Sequence, residues 1–160
     1  LNQGDEVTLC LAEDRATFAV GNATLSTSLL QVEFPNYRQL IQPSYPNTLT
    51  VAREALLEAV RRCRIFARET TPVRLEMTAT SLKLSVITQD IGNSEEEIDC
   101  SLEGTEMIVG FNPEYLAAGI EAVTGDEITI QTTDPQRPAV LRGVGADDYL
   151  YLVMPQRLTV

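Results

Sequence analysis

The sequence predicts an α+β protein, with antiparallel sheets carrying two helices on one face and a duplicated βαβββ unit as its plan. Three observations predict it. Most segments between residues 6 and 155 alternate apolar and polar positions, the period of a half-buried strand. Only two stretches, 53–68 and 113–123, change to the helical period. The order strand, helix, three strands then occurs twice, in units of roughly 55 residues.

Taken in order, 6–12 (EVTLCLA), 15–20 (RATFAV) and 23–30 (ATLSTSLL) read as an antiparallel meander joined by short turns. In 34–48 (FPNYRQLIQPSYPNT), three prolines with Asn36, Ser44 and Asn47 break regular structure. A short helical turn and an extended linker are expected there, with a boundary near Pro43–Asn47 that separates 1–46 from 47–160. A strand at 48–51 (TLTV) then enters the helix 53–68, followed by strands at 73–79 (VRLEMTA), 82–88 (LKLSVIT) and 95–103 (EEEIDCSLE). The second unit opens with 107–111 (MIVGF) and the helix 113–123. Asn112 caps this helix, Pro113 takes its first position and Gly125 lies beyond its end. Strands at 127–133 (EITIQTT), 139–145 (AVLRGVG) and 149–155 (YLYLVMP) complete it. Superposing the units places Arg53-Glu54-Ala55-Leu56-Leu57 on Asn112-Pro113-Glu114-Tyr115-Leu116.

The length of 160 residues suits about one ordinary domain, or one domain plus a piece of another, and 44% apolar residues suffice for a real core. The opening LNQGDEVTLCLAED reads as a turn entering a strand, as if the N-terminal side of a larger protein precedes it. A net charge of −11 argues against a general binder of nucleic acid or anionic membrane, because the mean field repels phosphate. No membrane-length apolar run and no signal-peptide pattern is present, and a cytoplasmic location is expected. Cys10, Cys63 and Cys100 are widely spaced and read as reduced, mostly buried small hydrophobes.

Catalysis has little support. Without histidine there is no imidazole base, no His-ligated zinc and no Ser-His-Asp triad, and neither a GxGxxG nor a P-loop occurs. Asp134, Asp147 and Asp148 around the Gly-rich turn 142–148 form the one conceivable divalent-metal set, but a solvated hairpin is the better reading. Neither metal nor cofactor is expected. The Glu95-Glu96-Glu97 run reads as a solvated strand start.

The helix 53–68 (REALLEAVRRCRIFAR) is unlike the rest of this acidic chain, with five arginines against two glutamates. At helical spacing, Leu56, Ala59, Val60, Cys63, Phe66 and Ala67 share the face that packs on a sheet. Arg61, Arg64 and Arg68 form a stripe on its flank with Arg53 nearby, and Ile65 projects away from the core. From the residues alone, two readings stand: arginines that neutralise an acidic surface, or a phosphate-facing strip beside a protein contact.

Three stretches together resemble the bacterial sliding clamp, the beta subunit of DNA polymerase III: FPNYRQLI (34–41), GFNPEYL (110–116) and YLVMPQRL (151–158). The resemblance extends over the whole chain. It likens 1–46 to the last part of that family's middle domain and 47–160 to its third domain, and it implies a DNA-clamp fold. It also implies that a first domain and half a second lie outside this sequence. The family's ring is a head-to-tail homodimer whose helices line the hole around duplex DNA, with sheets on the rim. The resemblance therefore makes Arg53, Arg61, Arg64 and Arg68 a DNA-facing strip that reads no sequence. It implies a non-catalytic processivity factor that tethers the polymerase III alpha subunit, clamp-loader subunits and other clamp-motif proteins.

Their docking pocket would be formed by Pro35, Gln39, Leu40, Thr70, Asn112, Tyr115, Gln136, Pro138, Leu152, Val153, Met154, Pro155, Gln156, Arg157 and Leu158. Apolar walls with a few polar guides suit an aliphatic–aromatic peptide anchor. The tail after Gln156 is expected to be exposed, burying little core. By the same resemblance Ile65, Glu95, Glu96 and Glu97 belong to the dimer interface, and this part alone would be monomeric. The other reading is an acidic peptide-binding adaptor that never meets DNA.

Overall fold

The computed structural model describes residues 6–67, 71–88, 92–146 and 149–158. The chain forms two compact units, Leu1–Tyr37 and Arg38–Val160, so the division falls ahead of the boundary expected from the prolines. The first unit is the expected meander of β1 (Thr8–Leu11), β2 (Arg15–Val20) and β3 (Ala23–Ser28). Its registers place Leu9, Phe18 and Leu25 in one cross-strand row. Within this unit the row stays exposed, and Val7, Phe18, Val20, Ala23, Thr24 and Leu25 line an open apolar groove of about 390 Å³. Cys10 of β1 is exposed, contrary to the expectation of burial, because this face of the meander packs on nothing within its own unit.

The second unit follows the duplicated order. Its first half comprises β4 (Asn47–Ala52), α1 (Arg53–Arg64), β5 (Val73–Met77), β6 (Ser81–Thr88) and β7 (Gly92–Glu103). Its second half comprises β8 (Met107–Phe111), α2 (Pro113–Ala122), β9 (Glu127–Thr132), β10 (Ala139–Gly143) and β11 (Tyr151–Val153), followed by β12 (Pro155–Gln156). All nine strands join one antiparallel sheet in the order β11-β10-β9-β4-β7-β6-β5-β8-β12. The two halves exchange their first strands: β4 pairs with β9 of the second half, and β8 pairs with β5 of the first. Neither half completes its own sheet.

The exchange also explains a departure from the sequence reading. The strand expected at 149–155 is divided at Met154 into β11, which pairs with β10, and β12, which pairs with β8. In the first half β7 does both jobs unbroken, pairing with β6 through Gly92–Asp99 and with β4 through Cys100–Glu103. Because β11 and β12 end the strand order yet adjoin in sequence, the sheet curls until its ends meet at Met154.

A single core cluster joins Leu56, Val60 and Cys63 of α1 and Leu116 and Ile120 of α2 with strand residues such as Leu49, Leu75, Leu84, Phe111 and Ile130. The helix α1 packs against α2 as well as the sheet, which widens its buried arc to include Leu57. It ends at Arg64 rather than 68, since the N–H groups of Ile65, Phe66 and Ala67 bond three residues back, to Arg62, Cys63 and Arg64. Asn112 caps α2 as expected, accepting from the N–H groups of Glu114 and Tyr115. Asn47, expected in a linker, is instead 4% exposed and ties three segments together. Its Nδ2 donates to the carbonyls of Thr132 (3.3 Å) and Thr133 (3.1 Å), and its Oδ1 accepts from the N–H of Thr105 (2.8 Å). Gly104, at φ +123°, leaves room for that side chain, and a Cβ there would run into Asn47 Oδ1. Among the described residues, no helix is long and apolar enough to cross a membrane.

Candidate functional site

Two surfaces of the second unit hold the residues singled out in the sequence. The first lies where the curled sheet closes. Gly110 and Phe111 of β8 pair with Gln156 and Pro155 of β12, which draws the C-terminal tail onto the sheet. A Cβ on Gly110 would stand 2.7 Å from Leu158 Cδ2, so the glycine gives Leu158 its seat. The tail is therefore docked rather than free, contrary to the expectation of an exposed terminus. The β9–β10 turn is shaped by Asp134, whose carboxylate accepts from the N–H groups of Gln136 (2.8 Å) and Arg137 (3.1 Å). This uses Asp134 locally, while Asp147 and Asp148 lie outside the described residues.

The turn and the tail enclose a cavity of about 540 Å³. It brings Gln136 together with Pro155, Gln156, Arg157 and Leu158, and adds Ile108, Val109, Gly110 and Pro135. Sequence reasoning missed these last four, because on a strand such as β8 only pairing with β12 shows which residues border a surface. Gln156 Oε1 is buried with no hydrogen-bond partner among the described residues. Strand alternation turns Val153, 3% exposed, into the core opposite Ala139, and leaves Met154, at 58%, on the surface. Leu152 and Pro138 are half-buried, and Tyr115 on the first turn of α2 is 63% exposed. Gln39 and Leu40 are exposed in the segment before β4. Pro35 belongs to the first unit, where its carbonyl accepts from the N–H of Tyr37, and Thr70 lies outside the described residues.

The second surface is the outer side of the two helices. Arg61 Nη2 reaches Glu121 Oε1 on α2 at 2.8 Å, and Arg64 Nε pairs with Glu114 Oε1, also on α2. Arg53 donates from Nε to the carbonyl of Gly125 (3.0 Å) and pairs with Glu54. Arg68 lies outside the described residues. On the other flank Arg62 grips Glu96 of β7 with two bonds, at 2.9 and 3.1 Å, and reaches Glu58 at 3.3 Å. The guanidinium holds the Glu96 carboxyl below the usual carboxylate range. Next to it, burial pushes the Cys63 thiol up, which keeps it protonated and inert.

Beside that flank, Gly92–Asp99 of β7 pair with β6 on one side only, because β4 reaches just Cys100–Glu103. Glu95 and Glu97 are exposed along this stretch, with Glu95 on Lys83 at 2.7 Å. Ile65 is 75% exposed just past α1, and Ile87 of β6, which the sequence reading passed over, is exposed opposite Asn93.

With this geometry in place, the chain was compared with known proteins. Residues 38–157 match the family model described as DNA polymerase III beta subunit, C-terminal domain. The chain belongs to the DNA polymerase III beta subunit family. Within it, the chain is 31% identical to the beta sliding clamp of Streptomyces coelicolor, over 99% of its own length and 45% of the relative's. It is likewise 31% identical to that of Synechococcus elongatus, over 98% and 43%. Among solved beta subunits, a sliding clamp from Bartonella birtlesii bound to griselimycin superposes with a TM-score of 0.81 at 27% identity, over 95% of this chain and 41% of that one. The Caulobacter crescentus beta subunit gives 0.80 at 25%, over 95% and 41%. The DNA-clamp fold expected from the sequence is thus the fold observed. The chain spans less than half the length of these beta subunits.

Proposed function

We propose that this chain is the docking end of a DNA sliding clamp, a ring that encloses duplex DNA and tethers replication and repair proteins through a peptide pocket. The observation that carries this reading is the closure of the sheet at Met154, where turn and tail converge on one cavity in a chain of the beta subunit family. The role is non-catalytic and needs no cofactor. Polymerase and clamp-loader subunits are the partners, duplex DNA passes the helix side, and the setting is the cytoplasm. The exposed apolar row of β1–β3 suits the reading of 1–46 as part of a larger middle domain, with 47–160 as the third. Topological binding is the decisive test. The complete protein, loaded on nicked circular duplex, should stay bound and should leave when the circle is cut. Equal loss from circle and line would reject a clamp.

For docking, exposed Tyr115 and Met154 are the proposed apolar anchors and the cavity at the tail the proposed seat, which suits a linear peptide with an aliphatic–aromatic anchor. Gln39, Leu40, Thr70, Asn112, Gln136, Pro138, Leu152 and the rest of the tail complete the proposed site. Tyr115→Ala with Met154→Ala should weaken binding of such a labelled peptide at least about tenfold in a fluorescence titration, since aromatic anchors dominate small interfaces. Both residues are exposed, so the thermal midpoint should hold. Unchanged affinity would place docking elsewhere.

The ring would close through the unpaired stretch of β7. An open strand edge accepts another strand, and Glu95, Glu96 and Glu97 beside Ile65 restrict which one. The complete protein is then a homodimer, and this part alone a monomer.

A further inference from the structure

The arginines of α1 do not wait unpaired. Arg61 and Arg64, which lie on the same flank of the helix, are each held by a glutamate of α2. The four side chains are all about half exposed, at 51% and 49% in one pair and 48% and 55% in the other. Pairs this wet are weak and readily exchanged. A phosphate can take the guanidinium from its carboxylate, but the displaced carboxylate stays close and repels the phosphate. The helical seam offers little net positive charge, although α1 taken alone is basic.

We propose that Glu114 and Glu121 set the strength of the DNA contact, acting as built-in competitors that keep Arg61 and Arg64 from gripping phosphate. The inference rests on the reading that these helices face duplex DNA. It assigns a function to two glutamates that otherwise look misplaced on such a surface. A ring that must move along DNA gains from contacts that are weak and quickly exchanged, and a carboxylate one helix away supplies that exchange. Arg62 does not share in it, because its two-point grip on Glu96 commits it to the sheet edge.

The test compares three forms of the chain on a short fluorescent duplex by anisotropy across a salt series. One is unchanged, one carries Glu114→Gln and Glu121→Gln, and one carries Glu76→Gln and Glu103→Gln. The last pair removes equal charge from the sheet face opposite the helices, where Glu76 lies between buried Leu75 and Met77. The helix-face variant should bind several-fold to about tenfold tighter, with a log–log salt slope steeper by up to about 1.8 for two gained phosphate contacts. Equal binding by all three forms overturns the proposal and leaves the DNA reading standing. An equal gain in the control also overturns it, since mean charge alone would then be responsible. No binding by any form at low salt overturns the proposal as well, and the ring reading is then decided by the circle test alone.

Discussion

Asn47→Ala should destabilise the Arg38–Val160 unit by about 2–4 kcal/mol, the largest loss expected from a polar substitution in this chain. The side chain is buried and satisfies the carbonyls of Thr132 and Thr133 and the N–H of Thr105. Removing it strands the buried Thr132 carbonyl, an orphan that costs about 1–3 kcal/mol, and also gives up the two part-buried bonds to Thr133 and Thr105. The loss also reaches across the exchanged strands, since Asn47 begins β4 while Thr132 ends β9. Urea unfolding is the measurement, with the midpoint falling at constant slope. Asn47→Asp should fare no better, because it keeps the acceptor for Thr105 but loses both donors and buries a charge. A loss under about 0.5 kcal/mol would show that water replaces the side chain and that Asn47 is no clamp.

Ile65→Asp in the complete protein should raise the dimer dissociation constant by roughly 30- to 900-fold, or about 2–4 kcal/mol. In the proposed ring, Ile65 sits beside the open stretch of β7, and an aspartate there would be buried near Glu95, Glu96 and Glu97 without a cation of its own. Arg62, three residues back, is already committed to Glu96 and Glu58. At 75% exposure Ile65 supports no core, so the variant should keep its thermal midpoint while sedimenting as a monomer. A dimer of unchanged affinity would place the interface elsewhere.

Much of this was legible in the sequence. Alternation and helical period located both helices and every described strand but β12 to within a few residues, because those signals depend on neighbours a few positions apart. Asn112 and Pro113 marked the start of α2, and three short motifs identified the family. The odd character of α1, basic in an acidic chain, was also visible, as was the outward direction of Ile65.

What the linear pattern did not contain was partnership. The exchange of β4 and β8 between the halves is a choice among strands of similar composition, and only their mutual fit in one curled sheet makes it. Met154 interrupts a strand because β11 and β12 must reach opposite ends of that sheet. Asn47 looked like a linker residue, since a turn-former's carboxamide is locally indistinguishable from one that bonds residues 58 and 85 positions away. The partners of the α1 arginines were not legible either, and only the fold brings Glu121 and Glu114 of α2 against Arg61 and Arg64. Local structure follows from short-range sterics and burial period, which the sequence states residue by residue. The cavity, the neutralised helix seam and the open edge of β7 arise from groups far apart in the chain, and only folding sets their distances.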